Sequence, residues 1–245
     1  MRISLRIFWT PKRGNTAEEY EDAFWPPAPL DLDSKLFRFA VADGATETSF
    51  ARSWAQLLTR AYCRDYLSEK KIRKHLPQLE QQWNSSIGKA ALPWYAEEKL
   101  SHGAFATVLG LTVLEGTWQS TAIGDSCLFQ VRDGRLLTAF PMTEAGDFNN
   151  RPPLLSSNKR NWNDELAHIC RAQGTWQPND VFYLMTDAIA CWFLQCSTVG
   201  ALCERASAVI DRAYSCAGEF EESIESLRDA GMRNDDVTLL RISVQ

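Results

Sequence analysis

The chain has 245 residues, of which 45% are hydrophobic and 23% charged, ordinary proportions that exclude wholesale disorder and need no disulfide staples. Its 31 acids against 26 bases leave a net charge of −5, which argues against a nucleic-acid wrap or an anionic membrane surface as main partner. Seven scattered cysteines without a C-x-x-C read as reduced thiols of a cytoplasmic protein rather than a disulfide framework or structural zinc site.

In chain order, Ile3, Leu5, Ile7 and Trp9 alternate as in a half-buried strand over 3–9, and the Arg6 inside that stretch speaks against a signal peptide. Residues 10–35, with Pro11, Gly14, Pro26, Pro27 and Pro29, read as loop. A second strand over 36–42 runs into Asp43-Gly44. The period then changes to 3.6: Phe50, Trp54, Leu57, Leu58, Ala61 and Tyr62 trace one helical face, and Ile72, Leu76, Leu79, Trp83 and Ile87 another. Core packing is the expected role of Trp54 and Trp83.

Strand patterns return at 104–114, 117–123 and 127–132, and Asp133-Gly134 marks a tight hairpin turn. Residues 139–179, rich in Pro, Asn, Ser and Gly, are expected to form a flap or insertion with a short helical patch near 164–172. Trp162 and Trp176 lie there, as substrate contacts or as loop anchors, and so does His168, as a general-acid candidate or a structural residue. A buried strand over 181–186, helical patterns to about 213 and again near 219–230, and a last strand over 237–244 complete the chain. Hairpin-linked strands with helix pairs between them predict an α+β fold, sheets covered by helices, in a single domain over 1–245. No stretch approaches the ~18 apolar residues of a membrane span.

Several catalytic signatures are missing: there is no phosphate loop, no G-x-G-x-x-G, no H-E-x-x-H and no G-x-S-x-G. His75, His102 and His168 carry no local signature of a Ser-His-Asp or Cys-His site. What stands out is a set of acids beside predicted strands. Asp43 follows 39–42, Asp125 follows Ala122-Ile123-Gly124, Asp187 follows 183–186, Asp235 and Asp236 precede Val237, and Glu21 and Asp22 precede Ala23-Phe24. Singly, each is an ordinary turn or cap residue. If the strands are neighbours, however, the acids converge. Two carboxylates ~4 Å apart repel by about 4 kcal/mol at an effective dielectric of 20, so such a cluster calls for protons or cations. Hard divalent ions such as Mg²⁺ or Mn²⁺ suit an all-oxygen site. Gly44 after Asp43 allows a backbone carbonyl to approach a metal closely.

Five segments in order carry a family resemblance: Glu21-Asp22-Ala23-Phe24 with Val41-Ala42-Asp43-Gly44-Ala45; Gly103 through Thr107; Ala122-Ile123-Gly124-Asp125-Ser126; Met185-Thr186-Asp187-Ala188; and Asp235-Asp236-Val237-Thr238. Together they resemble the metal-dependent Ser/Thr protein phosphatases of the protein phosphatase 2C type, bacterial branch. The resemblance implies a four-layer sandwich, two antiparallel sheets face to face with helix pairs outside, and a two-metal Mn²⁺ or Mg²⁺ centre at one end. It implies that Asp43 bridges both ions, with the Gly44 carbonyl and Glu21 on one and Asp187 and Asp235 on the other. Asp125 matches an acid that helps hold a third, weaker ion. A metal-bridging water would then attack phosphoserine or phosphothreonine without a phosphoenzyme.

The chain departs from that pattern in three places. Ala17 stands where the family has a phosphate-gripping Arg, which leaves Lys12 or Arg13 as candidates from the Pro11–Gly14 turn. Ala45 stands where many eukaryotic relatives have a His, and Ala188 where a Gly is usual. The implied partners are a phosphoprotein substrate and a partner Ser/Thr kinase or its targets, with no nucleic acid and no membrane. The alternatives are a catalytically silent module that binds a phosphoprotein or kinase, and a phosphoesterase acting on small molecules.

Overall fold

The computed structural model describes residues 1–45, 50–68, 71–87, 103–149, 151–204, 206, 208–210 and 217–245. Two antiparallel sheets carry it. The first has six strands in the order β3-β1-β13-β12-β8-β9: Leu30–Asp33 (β3), Arg2–Thr10 (β1), Val237–Val244 (β13), Val181–Met185 (β12), Cys127–Arg132 (β8) and Arg135–Phe140 (β9). The second has five in the order β11-β7-β6-β4-β2: Cys170–Thr175 (β11), Thr117–Ile123 (β7), Val108–Leu114 (β6), Leu36–Ala42 (β4) and Ala23–Trp25 (β2). Phe105–Ala106 (β5) and Leu155–Ser156 (β10) form a separate short pair.

The period-2 patterns decide which side chains meet. Phe39, Val41, Leu109, Leu111, Phe182, Leu184, Leu240 and Ile242 point between the sheets into one core. The alternate residues face outward onto helices. Ala51–Cys63 (α1) and Ile72–Ser86 (α2) lay Trp54, Leu58, Leu76 and Trp83 over the second sheet, against Ala40, Ala42 and Val108. Small residues make that approach possible: a Cβ on Gly110 would lie 2.2 Å from the Tyr62 ring. On the first sheet, Asp187–Cys196 (α4) and Ala217–Asp229 (α5) set Ile189, Phe193, Phe220 and Ile224 against Phe129, Tyr183 and Leu239. The result is the expected four-layer sandwich.

Differences from the expectations are local. The stretch 10–35 holds a 3₁₀ turn at Ala17–Glu19 and the strands β2 and β3. Prolines had masked them because Pro lacks the ladder donor, yet here Pro26, Pro27 and Pro29 fall between the two strands. The segment 139–179 is less detached than a flap. Its helix is Trp162–Ala167 (α3), and β11 pairs with β7 from Cys170↔Ala122 to Thr175↔Thr117 as an edge of the second sheet. Alternating small and polar side chains on a solvent-facing edge strand produce little apolar signal. Trp176 donates to the Leu114 carbonyl and Trp162 to the Ser156 carbonyl, so both anchor loops. His102 lies outside the described residues.

Candidate metal centre

Strand register brings the acids to one edge. In the second sheet Ala23 pairs with Ala42, so the next positions, Asp22 and Asp43, stand side by side. Val41 pairs with Leu109, which sets Asp43 beside Thr107: the Asp43 N–H donates to Thr107 Oγ1 at 2.9 Å, and the Thr107 N–H to the Asp43 carbonyl at 2.8 Å. Val108 pairs with Ile123, so the turn Gly124-Asp125-Ser126 follows at the same edge, and Ser126 shares a 2.9 Å hydrogen bond with Thr107. That turn also carries the chain from β7 into β8, from one sheet to the other.

The first sheet ends at the same place. Met185 pairs with Leu239, so Thr186 lies opposite Thr238, with Asp187 just after one strand and Asp235 and Asp236 just before the other. Asp22 ties the two sheets together. Its Oδ2 accepts from Thr186 at 3.0 Å and from Thr238 at 2.6 Å, both buried. Asp236 performs a tethering task, accepting from the backbone N–H of Lys12 at 2.8 Å and of Glu21 at 2.6 Å.

Crowding of acids shows in their proton affinities. Burial, then Asp22, Asp187, Asp235 and Asp125 in turn, hold the Asp43 carboxyl well above the usual carboxylate range. Asp22 is likewise pushed well up by burial, against the pull of its Thr238 bond. Burial and then Asp187 raise Asp125 to about 7. Asp187 is raised by burial and held back by Arg233. Two buried carboxylate oxygens, Asp22 Oδ1 and Asp125 Oδ1, have no hydrogen-bond partner. Unpaired buried anionic oxygens are costly unless a proton or cation reaches them. An all-oxygen cluster with spare lone pairs therefore fits Mg²⁺ or Mn²⁺ in its chemistry.

The expected residues distribute as follows. Asp43, Asp125, Asp187 and Asp235 act on one another at this edge. Gly44 packs where nothing larger fits, since a Cβ would meet the Glu21 carbonyl at 2.8 Å and Ala51 at 3.1 Å. It is Asp22 rather than Glu21 that is buried beside Asp43; Glu21 is half-buried. Arg13 is engaged elsewhere, its guanidinium bonded to Glu225 and Asp229 on α5, so it does not reach the acids. Lys12 is held at the edge by its backbone bond to Asp236. Among the described residues, no three His, Cys, Asp or Glu side chains are closed into a ready ligand set. A guanidinium joins two of the acids: Arg233 Nη1 donates to Asp187 Oδ2 at 2.6 Å and Nη2 lies 2.9 Å from Asp235 Oδ2.

Residues 21–240 match the profile of the family described as protein phosphatase 2C. The chain belongs to that family. Its fold is shared by the Mycobacterium tuberculosis serine/threonine phosphatase PstP/Ppp, at 15% identity and a TM-score of 0.59 with 100% of both chains covered. A PstP catalytic domain in complex with two manganese ions is 17% identical, with a TM-score of 0.55 and 98% of each chain covered. RsbX in complex with magnesium is 16% identical, with a TM-score of 0.53 over 100% of this chain and 96% of that one. At these identities the likeness is one of fold. No curated protein matches the chain.

Arg233 is absent from the sequence reading, and Asp22, named there among the strand-end acids, has no ligand role in it. Asp22 carried a signal in its register, being one position before Ala23 as Asp43 is one after Ala42. Arg233 carried only its proximity to Asp235.

Proposed function

We propose that this protein phosphatase 2C family member is a metal-dependent phosphoprotein phosphatase that hydrolyses phosphoserine and phosphothreonine. One observation carries the reading: acids from five strand ends of two sheets share one edge, with buried carboxylate oxygens left unpaired. In it, Asp43, Asp187, Asp235 and Asp125, with Glu21, Asp22 and the Gly44 carbonyl nearby, hold Mn²⁺ or Mg²⁺. Bound there, such ions supply an activated water and neutralise the charge of the phosphoryl group.

The chain's own residues do the positioning. Thr107 fixes the backbone of Asp43, and Ser126 fixes Thr107. Asp187 opens α4, where its Oδ1 accepts from the Ala188 N–H at 2.6 Å and the helix N-terminus favours its charge. Asp22 locks the two sheet ends together, so the acids of one sheet keep their place against those of the other. Of the two candidate phosphate grips, Lys12 is the one consistent with this arrangement, because Arg13 is neutralised on α5. Lys12→Ala should raise KM and leave kcat near its original value, which steady-state kinetics on a phosphothreonine peptide would show.

The reading is tested by following phosphate release from a phosphothreonine peptide and from an aryl phosphate with Mn²⁺, Mg²⁺ and a chelator. Release from the peptide that needs the cation supports it. Turnover of the aryl ester alone would favour a small-molecule phosphoesterase, and cation-independent turnover would refute the metal reading.

A further inference from the structure

Arg233 is more than a surface charge. Its fork spans the carboxylates of Asp187 and Asp235 at 2.6 and 2.9 Å, and its field reaches Asp43 and Asp125 as well. Yet the side chain is 56% exposed, with room for the guanidinium to move outward. The backbone beneath it is anchored on both sides. The Met232 N–H donates to Leu227 at 2.9 Å, and Asn234 accepts from the Arg13 N–H at 2.7 Å. The guanidinium can therefore leave while the loop stays. It also borders a cavity of about 260 Å³ that opens beside Asp187 between Phe148, Trp192 and Met232.

A guanidinium on Asp187 Oδ2 and Asp235 Oδ2 competes with a divalent cation for the same oxygens. Once such a cation is bound, the freed fork lies at the rim of a cluster that an anionic phosphate ester must approach, and its planar donors match phosphate oxygens. We propose that Arg233 is a movable counter-ion, which closes Asp187 and Asp235 in the metal-free protein, yields them to divalent cations, and then binds the phosphate group of the substrate. This rests on the metal-dependent phosphatase reading. It adds a phosphate contact from the β13 approach, beside Lys12, where the Ala17 segment supplies none.

The test is calorimetry on the chelator-stripped full chain, titrated first with Mn²⁺ and then, saturated with Mg²⁺, with inorganic phosphate. Arg233→Met keeps the apolar stem and removes the competing charge. It should bind Mn²⁺ roughly two- to fivefold more tightly, the modest gain suited to an exposed ion pair. It should also bind phosphate roughly tenfold or more weakly, through loss of charge-assisted bonds. Arg233→Lys, which keeps charge but not the fork, should fall between the two on Mn²⁺, and it serves as the second variant if the Met protein folds poorly. Mn²⁺ affinity that is unchanged or weaker in both variants, or unchanged phosphate affinity, would overturn the inference alone. A wild-type protein that takes up no Mn²⁺ would overturn the metal centre and this inference together.

Discussion

Asp43 stands among Asp22, Asp187, Asp235 and Asp125, each of which raises the cost of its charge. Changing it to Asn keeps the shape and removes that repulsion. Asp43→Asn should therefore lose nearly all turnover while melting no lower than wild type in the presence of chelator. Asp187→Asn and Asp235→Asn should also lose most of the rate, and pairs of these changes should lose little more, because one site is being disabled each time. Caps acting independently would instead lose stability additively and keep their turnover. The pH dependence follows from Asp125, whose carboxyl is raised from 3.8 to about 7. Between those values the folded chain binds the proton and the unfolded chain does not, so stability falls as pH rises across the window. Metal-free protein should melt higher at about pH 5.5 than at about pH 8, and the difference should shrink in Asp125→Asn.

At the scale of elements, the acids depend on strand ends being flush, and neutral groups secure that. Thr238→Val removes a donor to Asp22 and the partner of the Tyr20 hydroxyl, both buried. It should cost about 1–3 kcal/mol in denaturant unfolding and reduce turnover with it. Gly124 has φ +102, and a Cβ there would lie 2.5 Å from Thr107, the residue that fixes Asp43. Further from the site, Asp180 is wholly buried and accepts from Arg132 at 2.6 and 2.8 Å and from Gln130 at 2.8 Å, joining β8 to the start of β12. Asp180→Ala should cost about 3–5 kcal/mol without touching the chemistry, since it strands a partly buried guanidinium. α1 was legible from the sequence because one face is buried and leaves a 3.6 period, and β4 and β13 because both faces are covered and leave dense apolar runs. The strand β11 was not, because its exposed face and small residues leave no period to read. Asp43, Asp125, Asp187 and Asp235 were legible because each abuts a strand. The role of Arg233 was not, because a side chain on a loop takes its place from tertiary geometry alone.

For the whole molecule, two sheets with flush ends hold like charges together, and divalent cations bound there would relieve them. None of the described helices is long and apolar enough to cross a membrane. In the proposed reading, the shared edge is a divalent-cation site that removes phosphate from phosphoserine or phosphothreonine. The most direct measurement is phosphate release from a phosphothreonine peptide by the chelator-stripped wild type and Asp43→Asn proteins as Mn²⁺ is added back. Turnover that returns with Mn²⁺ in the wild type and stays absent in Asp43→Asn is the expected result. Equal turnover by the two proteins, or turnover undiminished by the chelator, would contradict it.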